Sequence, residues 1–74
     1  MTLEDISIGS KATVTALRLE GAERRRLLDL GLAIGTVVEA VKRSPLGDPV
    51  AYRIRGALIA LRKEQAQKIE VTPC

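Results

Sequence analysis

The chain has 74 residues, with 12 Lys and Arg against 9 Asp and Glu, a single Tyr as its only aromatic, one Cys and no His. Without His there is no Ser-His-Asp or Cys-His arrangement and no imidazole metal ligand, and one Cys forms neither a thiolate cluster nor an internal disulfide. A net charge of +3 favours an acidic partner surface but falls short of a dense basic stripe, and one aromatic provides no platform for stacking bases or gripping proline-rich peptides.

At 46% hydrophobic and 28% charged, the composition is that of a folded binding or regulatory module. A chain this short buries roughly 60% of its unfolded surface, so each core position carries weight. No internal repeat, low-complexity stretch or linker divides it, and one domain over 1–74 is expected. There is no apolar run of about 18 residues for a membrane span and no basic-then-apolar leader, so the expected compartment is the cytoplasm.

In chain order, Thr2 to Ser10 is a mixed segment in which Leu3, Ile6 and Ile8 can drop onto a core. Ala12 to Leu17 (A-T-V-T-A-L) is rich in β-branched residues and predicts a strand. Arg18 to Gly21 connects to a short helix over Ala22 to Leu30, whose interior holds no Pro, Gly or β-branched residue and pairs Arg25 with Asp29 at i,i+4. Gly31 then stands where a left-handed C-terminal cap is wanted. Ala33-Ile34-Gly35 predicts a turn and Val37 to Arg43 a second strand. Ser44-Pro45-Leu46-Gly47-Asp48-Pro49 is crowded with turn formers. Val50 to Arg55 alternates, with Val50, Tyr52 and Ile54 on one face; Gly56-Ala57 predicts a tight hairpin turn and Leu58 to Leu61 its returning strand. Arg62 to Lys68 has helix formers for one or two turns, and Ile69 to Thr72 closes as a last strand.

Five short strands around one helix predict a mainly β fold, a small curled sheet or barrel sharing one core. The expected core is Val14, Leu27, Leu30, Val38, Val50, Ile54, Ile59, Leu61, Ile69 and Val71. At about 100° per residue Leu27 and Leu30 lie close together on the helix, whereas Leu28 turns towards the polar side of Arg25 and Asp29. Leu28 therefore either packs under a neighbouring loop or is offered to a partner beside Arg24 and Arg25. The loop is the second candidate surface: two Pro and a Gly in six residues fix its shape, which lowers the entropy lost on presenting Leu46 to a partner, although the same residues also suit an ordinary hairpin loop. Lys42, Arg43, Arg53, Arg55 and Arg62 form a basic strip if alternation holds. Glu4 and Asp5 have no companion ligand cluster, and Cys74 is a weak soft-metal candidate at the last position. No glycine loop followed by Lys-Ser or Lys-Thr is present, so nucleotide hydrolysis by this chain is not expected.

The run from Arg24 to Val71 resembles the ferrous iron transport protein A (FeoA) family. The pattern is an Arg-rich helix closing on Leu28, Gly31 and Leu32, then Gly35-Thr36, then Pro45 to Pro49, then Ala60-Leu61-Arg62, with Glu64 and Ala66 in the following turn. Leu3, Gly9 and Val14 fit the family's opening strand. Ile34 stands where members often carry Pro, and Tyr52 where they are usually aliphatic. The resemblance implies an SH3-like five-stranded β-barrel with one inserted short α-helix. It also implies a non-enzymatic accessory role in ferrous iron uptake. On this view the chain acts by contact with the membrane ferrous iron transporter, ferrous iron transport protein B, whose cytoplasmic portion is a GTP-binding domain. The expected partner surface is Arg24, Arg25, Leu28, Pro45, Leu46, Gly47, Asp48 and Pro49, with Gly31, Gly35 and Gly56 as structural turns. No cofactor, no nucleic acid and no membrane insertion are expected. A metal-responsive SH3-like sensor using Cys74 or carboxylates at a weak homodimer contact is the alternative, and a nucleic-acid-binding SH3-like module a more distant one.

Overall fold

The structure, a computed structural model, describes all 74 residues. A 3-10 turn at Leu3–Asp5 opens the chain. It is followed by β1 (Lys11–Leu17), α1 (Gly21–Asp29), β2 (Val37–Arg43), β3 (Val50–Ile54), β4 (Ala57–Leu61), α2 (Lys63–Ala66) and β5 (Ile69–Pro73). The five strands form one antiparallel sheet in the order β4-β3-β2-β1-β5. Each predicted strand is found within a residue or so of its expected bounds, because period-2 alternation of β-branched and polar residues leaves only one face to bury.

Register shifts between Val14 and Ala16 on β1, and between Ala40 and Lys42 on β2, put an extra residue into each ladder. Such bulges bend the strand and increase its twist, which lets five short strands wrap one core. That core is a single cluster of 17 buried residues from every element except the loops' exposed tips. At the outer edge of β5 the chain's own start takes up free backbone groups: Val71 N–H donates to the Met1 carbonyl (2.9 Å) and Thr2 bridges Glu70. The opposite edge, β4, is flanked by α1.

Helix α1 ends as the Gly31 cap predicts. Gly31 N–H donates to Leu28 O and Leu32 N–H to Leu27 O, both at 3.0 Å, with Gly31 at φ +100°. This is a Schellman cap, in which the residue after the glycine meets the third residue from the helix end. Leu27 and Leu32 are both fully buried. The cap corrects one core expectation: Leu30 is 39% exposed, since the chain reverses at Gly31 and Leu32 takes the inward place. Ile8, also expected to drop onto the core, lies in a turn and is 43% exposed, while Leu3 and Ile6 are buried as expected. Val50, Tyr52 and Ile54 all point inward, and Leu19, Ala12, Ala40 and Ala66 complete the core.

The β3–β4 turn is Arg55-Gly56, one residue earlier than expected, with both φ values positive (49° and 82°). This is the signature of a two-residue hairpin whose twist matches its strands. Gly35 and Gly56, expected as turn residues, have positive φ values of 92° and 82°.

Candidate functional site

The Ser44–Pro49 loop is built from both ends. Ser44 N–H donates to Pro49 O (3.2 Å), Gly47 N–H to Ser44 O (2.8 Å), and Arg43 Nη1 to Gly47 O (3.2 Å). Asp48 fastens the loop to α2: its Oδ1 accepts the Lys63 N–H at 2.8 Å, and its Oδ2 lies 3.7 Å from Arg62 Nη1. A carboxylate at the start of that turn meets backbone donors that have no partner inside the helix. The result is a closed platform holding Leu46 95% exposed at its tip. Beneath Leu46, Gly47 and Asp48 is a cavity of about 300 Å³, floored by Val50, Tyr52, Leu61 and Ala66 and rimmed by Glu4, Arg43 and Lys63. The Tyr52 hydroxyl donates to Leu3 O (3.3 Å), and burial pushes its pKa up, opposed by the nearby Arg43 charge. Pro45 and Pro49 border a second, outer hollow of about 280 Å³ with Lys42, Ser44, Ala51 and Ala60.

On the helix, Arg24 is half-buried and its Nη1 donates to Leu17 O at 2.9 Å, so it ties α1 to the end of β1. Arg25 is exposed, and Leu28 is 38% exposed. The structure does not gather Arg24, Arg25 and Leu28 into a cavity with the loop. Arg26 is the arginine that approaches the loop: it shares a groove of about 390 Å³ with Glu23, Pro49, Ala60, Arg62, Glu64 and Gln65. Helical phase explains this, since Glu23, Arg26 and Leu30 share one side of α1 and Arg25 and Leu28 the other.

The basic strip is largely engaged. Arg53 pairs with Glu39 at 3.0 Å, Arg62 with Asp48, and Arg43 with the loop carbonyl. Arg55 Nε donates to Gly31 O (3.1 Å) and its Nη2 to Thr36 Oγ1 (3.4 Å). Elsewhere Arg18 pairs with Glu70, and Glu4 lies 3.7 Å from Lys63 Nζ. Asp5 closes the opening turn by accepting the Thr2 N–H at 2.8 Å. Cys74 is exposed with Sγ 3.7 Å from Thr13 Oγ1, and no group of three or more His, Cys, Asp or Glu side chains converges. No helix is long and apolar enough to cross a membrane.

The family model for the FeoA domain matches residues 1–73. The chain belongs to the FeoA domain family. It is 38% identical over 71 residues to the Fe(2+) transport protein A/Fe(2+) transporter FeoB fusion protein of Porphyromonas gingivalis, covering 96% of this chain and 8% of that protein's length. Among solved structures, the FeoA protein of Chlorobium tepidum superposes with a TM-score of 0.93 at 38% identity, covering 99% of this chain and 70% of that one. FeoA of Stenotrophomonas maltophilia, solved with zinc and described as a prokaryotic SH3 domain protein, matches at 29% identity and a TM-score of 0.83, covering 97% and 89%. The FeoA domain described above is accordingly SH3-like: a mainly β, five-stranded fold with α1 inserted between β1 and β2 and a single turn, α2, before β5.

Proposed function

We propose that this FeoA domain is a non-catalytic accessory of ferrous iron uptake, working in the cytoplasm by direct contact with the membrane ferrous iron transporter. The observation that carries this is the Porphyromonas gingivalis relative, in which a homologous segment and an Fe(2+) transporter are one polypeptide. Fusion holds two partners at high effective concentration, an arrangement that serves domains which act on one another. The rigid loop with Leu46 at its tip supports a contact role, because a surface already ordered loses little entropy on docking.

The proposed partner surface has two patches, Arg24, Arg25 and Leu28 on α1 and the Pro45–Pro49 loop, both of which contact the transporter's GTP-binding domain. Arg25 is the free charge of this set, and Leu46 its exposed apolar anchor. Arg24 contributes by fixing the helix. Calorimetric titration of the GTP-binding domain with the Arg25→Glu/Leu46→Asp variant tests the reading. Both side chains are exposed, so the variant keeps its fold, and affinity is expected to drop at least about tenfold, the equivalent of ~1.4 kcal/mol. A folded variant that binds as the parent does would remove this surface.

A further inference from the structure

Leu46 is the most exposed of the chain's large apolar side chains, at 95%. The loop that carries it is closed by the Ser44–Pro49 and Gly47–Ser44 backbone bonds and by Arg43, and Asp48 fastens it to α2. Held in this way, Leu46 stands clear of its own domain. Directly beside this knob is a hollow. Leu46 itself forms part of the wall of the cavity of about 300 Å³ that is floored by Val50, Tyr52, Leu61 and Ala66. A knob and a hollow side by side on one rigid surface do not fill each other. Two copies related by a two-fold axis between knob and hollow fill both at once, since each copy gives the other what it receives.

The charges around the hollow fit the same occupant. Glu4 and Asp48 stand on its rim with Arg43 and Lys63, two of each sign. Glu4 lies 3.7 Å from Lys63 Nζ, and Asp48 accepts the Lys63 N–H at 2.8 Å, so the rim carries no net charge. A strongly acidic or basic partner finds no complementary field there, whereas an identical rim meets it without net repulsion. The floor offers little to a small polar ligand. Its one polar side-chain group, the Tyr52 hydroxyl, already donates to Leu3 O at 3.3 Å. What remains is an apolar hollow matched by an apolar side chain of the same surface.

We propose that this chain self-associates as a two-fold dimer in which Leu46 of each copy enters the hollow of the other. The loop arrives already ordered, so the entropy lost is chiefly that of bringing two copies together. With one apolar anchor per copy, the contact belongs to the weak and transient class, with a Kd on the order of 1 mM. Pairing occupies Leu46, so on the transporter reading above the dimer and the transporter complex exclude each other. The dimer itself is tested without any transporter domain, and either reading can fail alone.

The test is an NMR dilution series of the full chain, joined to a mixture of labelled and unlabelled copies. Between about 2 mM and about 0.05 mM, the signals of Leu46, Gly47, Val50 and Ala66 are expected to shift and diffusion to quicken as the dimer dissociates. In the mixed sample, isotope-filtered NOEs are expected from the Leu46 methyl groups of one copy to Val50 and Ala66 of the other. Leu46→Asp keeps the fold, because the side chain is exposed, and is expected to weaken association at least about tenfold. Raising salt from about 50 to about 500 mM is expected to change the Kd less than about threefold, since the rim is neutral. Signals that do not move up to about 2 mM would overturn the proposal at the affinity it requires. So would association that survives Leu46→Asp, intermolecular NOEs from Leu46 that miss the hollow, or a Kd that weakens steeply with salt.

Discussion

Gly31 and Arg55 meet across the gap between helix and hairpin, and each constrains the other. Gly31 sits at φ +100°, and a Cβ there would lie 2.7 Å from Arg55 Cδ, so Gly31→Ala adds backbone strain as well as forcing the guanidinium arm aside. We expect a loss of ~1–2 kcal/mol in urea unfolding, the cost of placing an L-residue in left-handed space. Arg55 itself holds φ 49°, a conformation that Asn adopts more readily. Arg55→Asn is therefore expected to keep the hairpin but release the helix end, seen as faster amide exchange at Gly31 and Leu32 with unchanged protection on β3. Unchanged exchange at Gly31 would show that the guanidinium is not what holds α1 there. Tyr52 is the residue that couples stability to alkaline pH. Its folded pKa is raised above the ordinary value of about 10, so the stability it contributes is complete below that pH and is lost as pH climbs through the folded value. Tyr52→Phe should stay within about 1 kcal/mol of the parent at neutral pH and remove this part of the alkaline loss, checked by unfolding at stepped pH.

At the scale of elements, the helix end separates what the sequence displays from what it hides. Leu32→Ala is expected to cost ~2–5 kcal/mol, as a buried large-to-small change, and Leu30→Ala under about 1 kcal/mol, as a partly exposed one. Equal losses in urea unfolding would mean the reversal at Gly31 is not maintained in solution. Helical periodicity alone assigns Leu30 to the core because it extends the repeat past the residue where the helix stops. The cap motif carries the missing information: Leu27, Gly31 and Leu32 have the spacing at which the residue after the glycine packs on the helix. The strands were legible because alternation fixes their faces, and Val50, Tyr52 and Ile54 follow it. The Pro45–Pro49 loop was legible as a rigid turn, but not its fastening to α2, since Asp48 and Lys63 are 15 residues apart and only the fold joins them. The split of the arginines was equally hidden: Arg24 looks free in the sequence, yet tertiary contact commits it to Leu17, while Arg26 turns to the groove.

Across the whole molecule, the two sheet edges and the loop define its outward faces. One edge is closed by the chain's own first residues, the other is flanked by α1, and the Leu46 platform is fastened to α2 through Asp48. Four ion pairs engage eight of the charged side chains, and the net charge is only +3, so contact rather than a continuous basic field is the character of the surface. Family membership gives this surface its context, and the proposed function gives it the ferrous iron transporter as the partner to test. The most direct measurement is therefore an NMR titration of the labelled protein with the transporter's GTP-binding domain, with and without a GTP analogue. The account predicts shifts concentrated on Arg25 and Leu28 of α1 and on Pro45–Pro49, and a dependence on the bound nucleotide would add control of the GTPase to that contact. An absence of shifts at saturating partner concentration, or shifts confined to the β1–β5 side, would contradict it.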